Sequence, residues 1–180
     1  MGILLTFDRD LLEFLGKEGR CKMNEKEKFL FEMMFSGAYK AAVGRNPQGK
    51  KDINYQTNVK NICRKLIETY KSGTVTPKEH ILNIAKIQDC GLNPGASQKV
   101  LNVLLKLYWC MGQIEMPSHC PVDRLVINNC KIKDKNKQLV KWTQMKTIEE
   151  YENIINQIAN QKKPKHIAEW ELEFWNSTRV

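Results

Sequence analysis

The chain has 180 residues, of which 42% are hydrophobic and 27% charged, and its formal net charge is +9 at pH 7. This length predicts one domain with a core of its own, and the apolar content excludes a disordered chain. No apolar stretch of the sequence is long enough to cross a bilayer, so we expect no membrane partner. The positive charge indicates an anionic partner, of which nucleic acid is the commonest.

The cysteines argue against a bound metal. A structural zinc site takes paired ligands at short spacing, and an iron–sulfur loop clusters its thiolates. Neither pattern occurs among the six cysteines and three histidines, and no CxxC pair is present. We therefore expect no metal site and reduced, buried thiols, as in a cytoplasmic protein.

The first half of the chain predicts successive helices. Thr76-Pro77-Lys78-Glu79 is the clearest start, because a threonine cap, a proline at the first helical position and a reciprocal glutamate occur together. Further helix starts are predicted at Asn24 with Glu27 and at Thr57. An amphipathic helix is predicted near the N-terminus, with leucines on its inner face: Leu4, Leu5, Leu11, Leu12 and Leu15.

Helical signals continue in the second half. An apolar stripe with helical spacing begins at Val100 and ends at Gly112. Another helix is predicted to start at Thr147, and the last one to begin near Pro164. No alternating strand pattern of useful length occurs in the sequence. We therefore predict an all-α fold, with residues 1–180 forming one compact helical domain.

Three basic stretches lie between the predicted helices, at residues 45–51, 131–141 and 162–166. Each one alone is typical of a solvated surface. Three of them on one small domain predict an electrostatic footprint for a polyanion.

The segment from Gly91 to Ile127 carries the residues with the clearest chemical potential. Lys99 follows a Pro-Gly turn, on the predicted first turn of an apolar helix, and Asp123 occupies a predicted N-cap 24 residues later. An amine becomes a nucleophile when burial or positive surroundings lower its pKa, and a carboxylate held by backbone N–H groups stays ionised. Such a pair can attack a sugar and stabilise its positive charge as a base departs. Most aspartates at helix starts are nevertheless only N-caps, and most lysines there are only solvated side chains.

These residues also resemble a known family. Pro94-Gly95-Ala96-Ser97-Gln98-Lys99-Val100, followed by an apolar helix and Pro121-Val122-Asp123, is similar to the helix-hairpin-helix DNA glycosylases, in particular their 8-oxoguanine branch. In that family a Pro-Gly-x-Gly hairpin offers backbone N–H groups to a DNA phosphate, and Ser97 stands at the second glycine. The resemblance implies a helix-hairpin-helix segment at about 81–112, with Lys99 as nucleophile and Asp123 as the stabilising carboxylate. A rival alignment matches the family's earlier glycine-lysine helix, in which the lysine is not catalytic.

The resemblance further implies which residues would contact DNA and the extruded base. Gln56, in Tyr55-Gln56-Thr57-Asn58-Val59, would fill the gap that the base leaves. The implied DNA contacts are Gly95, Ser97, Gln98, Gln56 and Asn58, and the implied base pocket is Val103, Leu107, His119, Cys120, Trp170, Phe174 and Trp175. The three C-terminal aromatic residues have helical spacing, which is also typical of core residues.

The function implied by the resemblance is a DNA glycosylase with abasic-site lyase activity on an oxidised purine in double-stranded DNA, acting as a monomer without a cofactor. Two alternatives stay open: a noncatalytic nucleic-acid-binding protein with the same fold, and a basic helical module with protein partners. An enzyme requires the polar groups of Lys99 and Asp123 a few ångströms apart at one cavity. A nucleic-acid binder requires only a basic face and strong salt dependence, whereas a protein-binding module would expose an apolar patch.

Overall fold

The computed structural model describes residues 23–44 and 53–178. The chain divides into two units, Met1–Met33 and Met34–Val180. The described part of the first unit is the beginning of one helix, and the candidate site belongs to the second unit. The predicted N-terminal amphipathic helix and the basic stretch 45–51 lie outside the described residues.

The described residues form helices joined by turns, and they contain no β-strand. One isolated antiparallel bridge joins Lys133 and Leu139. The all-α prediction is therefore confirmed, and no described helix is long and apolar enough to span a membrane. The elements are α1 (Met23–Val43), α2 (Ile53–Ser72), α3 (Pro77–Gln88), α4 (Pro94–Cys110), α5 (Arg124–Cys130), a 3-10 turn (Trp142–Gln144), α6 (Ile148–Lys162) and α7 (Ile167–Ser177).

Several helix boundaries lie at the predicted capping residues. Thr76 and Glu79 form a reciprocal capping box at the start of α3, in which each side chain accepts a hydrogen bond from the other's backbone N–H. Thr147 caps α6 by accepting from the N–H of Glu150. After α4, Gly112 adopts the left-handed conformation with φ 67°, which glycine permits at little cost.

Other helix starts differ from the prediction. α2 already begins at Ile53, before Thr57, and α7 begins at Ile167 rather than near Pro164. Asn24, predicted as a cap, lies within α1, and α4 begins one turn earlier than predicted. The difference at α7 arises because α6 continues to Lys162, so that Pro164 falls in the turn between the two helices.

α4 is central among the helices that form the candidate site. It contacts α3, α6 and the 3-10 turn. Val100, Leu101, Leu104 and Leu105 have no exposed surface, and burial of each such side chain contributes about 1.5–3 kcal/mol to stability. The partly exposed face of α4 carries Lys99, Val103, Lys106 and Leu107 at helical spacing.

Candidate functional site

Lys99 and Asp123 are in direct contact. Lys99 Nζ lies 3.4 Å from Asp123 Oδ2, and the two side chains are 13% and 25% exposed. Asp123 is the N-cap of α5, and its other oxygen, Oδ1, accepts hydrogen bonds from the N–H groups of Leu125 (2.9 Å) and Val126 (3.2 Å). One carboxylate oxygen is thus fixed by the helix start while the other faces the amine.

Lys99 lies one helical turn later than predicted. The side chain of Asn93 caps α4 by accepting from the N–H of Ala96 at 2.8 Å, so α4 begins at Pro94 and Lys99 is its sixth residue. The field of a helix terminus falls off within the first turn. The start of α4 therefore contributes little at Lys99, which instead contacts the carboxylate of Asp123.

The indole of Trp142 covers the amine. Lys99 Nζ lies 4.5 Å from the centroid of the Trp142 ring, within the range of a cation–π interaction. The 3-10 turn is held against the start of α4 because Asn93 Nδ2 donates to the carbonyl of Thr143 at 3.1 Å. A Cβ atom at Gly95 would lie 1.7 Å from the carbonyl oxygen of Trp142, so only glycine allows this approach. No local pattern in the sequence indicates this contact.

Gly95, Ser97 and Gln98, which were predicted to contact DNA, lie in the interior. All three are buried, and the 3-10 turn lies directly on Gly95. The hydroxyl of Ser97 donates to the Asn93 carbonyl at 3.0 Å, and Gln98 has no exposed surface. The 3-10 turn that covers Gly95 is more than 40 residues away in sequence, so the hairpin motif alone could not indicate it.

Gln98 instead holds the residue that precedes Asp123. Its Nε2 donates to the carbonyl of Val122 at 2.7 Å, and its Oε1 accepts from the N–H of Val122 at 3.1 Å. Asn102 Nδ2 donates both to Gln98 Oε1 (3.2 Å) and to the hydroxyl of Tyr151 (3.0 Å). The interior of α4 is thereby bonded to the loop that presents Asp123.

His119, predicted to border a pocket, belongs to this interior network. Its Nδ1 lies 3.1 Å from the hydroxyl of Tyr151, and its ring meets that of His80 edge-on at 4.6 Å. The Nδ1 of His80 lies 2.7 Å from the hydroxyl of Tyr70. Burial, reinforced by nearby His119, lowers the pKa of His80 to about 3, and burial lowers the pKa of His119 to about 4. Both rings are therefore neutral at neutral pH.

Cys120 also lies in the interior rather than at an accessible pocket wall. It has no exposed surface, and burial raises the pKa of its thiol well above the usual range. A thiol that stays protonated and inaccessible is chemically inert. Cys120 and His119, both predicted to line the base pocket, therefore lie in the buried interior.

A second ion pair lies near the first. Lys106 Nζ is 2.7 Å from Glu171 Oε2, and Glu171 is only 3% exposed. Burial raises the pKa of Glu171, and the positive charge of Lys106 opposes this rise. The charges of Asp123 and Lys99 also affect this pKa, to a smaller extent, so the two ion pairs lie within electrostatic range of each other. Lys106 could have been found from sequence because it lies two helical turns after Lys99, whereas no local signal marks Glu171.

The predicted aromatic residues of α7 divide into two groups. Trp175 lies against the second ion pair, with Lys106 Nζ 5.1 Å from its ring centroid. Trp170 and Phe174 stack on each other with centroids 5.8 Å apart, and Lys162 lies 5.9 Å from the Trp170 ring. All three are half-buried rather than core residues.

Gln56 and Asn58 are exposed on the first turns of α2. The neighbouring Tyr55 ring lies against Gly91, where a Cβ atom would be 2.0 Å from the ring carbon Cε1. This contact brings the start of α2 beside the turn between α3 and α4. A cleft of about 390 Å³ between α2 and α3 has neither Lys99 nor Asp123 in its wall.

The described residues contain no group of three or more histidine, cysteine, aspartate or glutamate side chains arranged to hold a metal ion. The chain matches no family model, no curated protein and no solved structure. The resemblance to the helix-hairpin-helix glycosylases therefore depends on the residues named above.

Proposed function

We propose that the chain is a DNA glycosylase with abasic-site lyase activity, acting on an oxidised purine. The observation that carries the proposal is the 3.4 Å contact between Lys99 Nζ and Asp123 Oδ2. A primary amine and a carboxylate, both partly accessible and presented by two neighbouring helices, are the groups that Schiff-base chemistry on a sugar requires.

The proposed reaction begins when the Lys99 ammonium loses a proton to solvent, while Asp123 stays ionised. The amine then attacks C1′ of the target nucleotide, the glycosidic bond breaks, and the base leaves with the bonding electrons and takes up a proton from solvent. Opening of the sugar ring gives a Schiff base between Lys99 and C1′. Loss of a proton from C2′ then expels the 3′-phosphate and cleaves the strand.

In this scheme Asp123 stabilises the positive charge that develops on the sugar. Its Oδ1 is already bonded to Leu125 and Val126, so the carboxylate need not reorient during the reaction. The half-exposed residues Val103 and Leu107 on α4, with Trp175 beside Lys106, would form the wall against which the extruded base rests. Trp142 would have to leave Lys99 before C1′ could reach the amine.

Borohydride trapping tests the proposal. The protein is mixed with duplexes carrying 8-oxoguanine or an abasic site, and borohydride reduces any Schiff base to a stable covalent adduct. We expect an adduct with the wild type and none with Lys99→Gln. Lys71→Gln is the matched control, because Lys71 also pairs with a carboxylate (Glu68, 3.2 Å) and lies 5.9 Å from an aromatic ring (Tyr108).

Two results would contradict the lyase proposal: no wild-type adduct on either duplex, or an undiminished adduct with Lys99→Gln. The second candidate function is a noncatalytic nucleic-acid-binding protein, which the cover of Trp142 over Lys99 favours. For that candidate, wild type and Lys99→Gln bind DNA equally well and neither forms an adduct.

A further inference from the structure

We infer that a nucleic-acid phosphate backbone binds to a cluster of lysines around α6 rather than to the start of α4. This inference rests on DNA being the partner, as proposed above. The basic cluster lies in residues 131–141 and 162–165, and all its lysines are exposed: Lys131, Lys133, Lys135, Lys137, Lys141, Lys162, Lys163 and Lys165.

The basic cluster carries most of the excess positive charge of the chain. Its two stretches contain eight lysines and one acidic residue, Asp134, which gives a net charge of +7 against +9 for all 180 residues. The carboxylate of Asp134 accepts from the N–H groups of Asn136 (2.8 Å) and Gln138 (3.0 Å) within its own turn. A phosphate backbone neutralises such a cluster and gains affinity by releasing its counterions.

The two stretches of the cluster are joined to neighbouring parts of the fold. Gln157 on α6 donates to the carbonyl of Lys133 at 3.2 Å, and Lys162 Nζ at the end of α6 donates to the carbonyl of Asn129 at 3.4 Å. Residues 131–141 themselves form a small hairpin, which the Lys133–Leu139 bridge closes. The lysines are therefore presented by ordered backbone on connected parts of the surface.

Three of these lysines have a left-handed backbone conformation. Lys131, Lys137 and Lys163 have φ values of 49°, 61° and 45°, and no other non-glycine residue in the described ranges has a positive φ. The left-handed region is unfavourable for a side chain with a Cβ atom, and glycine is the residue that occupies it readily. Lys131 and Lys163 are the left-handed C-caps of α5 and α6, where a cation also interacts favourably with the helix end, and Lys137 lies in the turn of the hairpin.

The hairpin of the cluster connects the two sides of the candidate site. It follows α5, which Asp123 caps and which is about 10 Å long for its seven residues. It ends at Lys141, immediately before Trp142, whose ring covers Lys99. A phosphate backbone along this hairpin would pass beside the Lys99–Asp123 pair, whereas the start of α4 is covered by Trp142 and Thr143.

The test measures the affinity for a fluorescently labelled undamaged duplex by anisotropy over a series of KCl concentrations. The variant combines Lys133→Gln, Lys135→Gln and Lys137→Gln, and the control combines Lys28→Gln, Lys65→Gln and Lys78→Gln, which are exposed lysines on other helices. Each lost phosphate contact lowers the slope of log affinity against log salt by about 0.9. We expect a slope lower by about 2–3 and an affinity at least about 10-fold weaker for the cluster variant, with the control within about twofold of the wild type.

A second variant separates binding from folding. Lys131→Gly, Lys137→Gly and Lys163→Gly together relieve the left-handed backbone while removing three charges. We expect this variant to resist urea at least as well as the wild type but to bind the duplex at least about 10-fold more weakly. Lysines with a purely structural role would give the opposite pattern, with lower stability and unchanged affinity.

The outcomes separate this inference from the proposed function. If the wild type binds and forms the borohydride adduct while the cluster variants keep its affinity and salt slope, the inference is overturned and the proposed function stands. If the cluster variants lose affinity but form the adduct normally at saturating DNA, the inference holds. If the wild type binds no duplex at any salt concentration, both fail together.

Discussion

Asp123 gives its two carboxylate oxygens different partners, since Oδ1 caps α5 and Oδ2 faces Lys99. Asparagine keeps an acceptor oxygen and is an equally good N-cap, so Asp123→Asn removes the charge while leaving the helix start intact. We expect single-turnover base excision to slow by about 10²–10³-fold, as when other electrostatic stabilisers are removed. The free energy of unfolding in urea should fall by no more than about 1 kcal/mol, from the lost ion pair with Lys99 and the lost charge at the helix start.

Asp123→Ala is the companion variant, because it removes the cap as well as the charge. We expect it to lose the same activity and, in addition, about 1 kcal/mol of stability. Excision by Asp123→Asn at the wild-type rate would show that Asp123 is a helix cap and no more.

At the scale of elements, the contact between α4 and the 3-10 turn depends on Gly95. Alanine there would place its Cβ 1.7 Å from the carbonyl oxygen of Trp142, so the turn must move. We expect Gly95→Ala to cost about 1–3 kcal/mol in urea unfolding and to change the tryptophan emission spectrum as the Trp142 ring leaves Lys99. Gly37→Ala on α1 is the matched control, since a Cβ there meets nothing within 4 Å.

The free energy of unfolding of the control variant should change in the opposite direction. Alanine is favoured over glycine within a helix by about 0.5–1 kcal/mol, so Gly37→Ala is expected to stabilise the protein. Equal stability of Gly95→Ala and the wild type, with unchanged emission, would contradict the close approach of the turn.

The elements show which parts of the fold local sequence determines. Thr76, Thr147 and Asp123 could be predicted as helix caps because each acts on a backbone N–H two or three residues away. The pair of Lys99 and Asp123 was predictable because both stand at motif positions. The role of Gln98 and the cover of Trp142 were not predictable, because their partners lie 24 and more than 40 residues distant in the chain.

At the scale of the whole molecule, two buried neutral histidines make stability depend on pH. The pKa values of His80 and His119 are lowered to about 3 and about 4, whereas the unfolded chain has ordinary histidines with a pKa of about 6.5. Below pH 6.5 the unfolded state therefore binds more protons than the folded state, and stability falls as the pH is lowered. The stability that the two neutral histidines contribute is fully present above pH 6.5. It decreases as the pH is lowered, and the decrease ends near pH 4 for His119 and near pH 3 for His80.

Urea unfolding at pH 6.5 and pH 5.0 measures this effect in a range where most carboxylates stay ionised. We expect the free energy of unfolding of the wild type to fall by on the order of 2–3 kcal/mol between these pH values. Each extra proton that the unfolded state binds lowers it by about 1.4 kcal/mol per pH unit. His119→Gln should roughly halve the loss. His166→Gln is the control, because His166 is exposed at the start of α7. An equal loss in His119→Gln and the wild type would contradict the assignment.

The two hydrogen bonds between Gln98 and Val122 also restrict the motion of the loop before α5. Both polar groups of the Val122 peptide are bonded to one side chain of α4, and that side chain is fully buried. The loop ahead of α5 therefore cannot fluctuate by itself, since releasing it requires opening the interior of α4. The carboxylate of Asp123 is preorganised, and its slowest movements should occur on the timescale of local unfolding rather than on that of a surface loop.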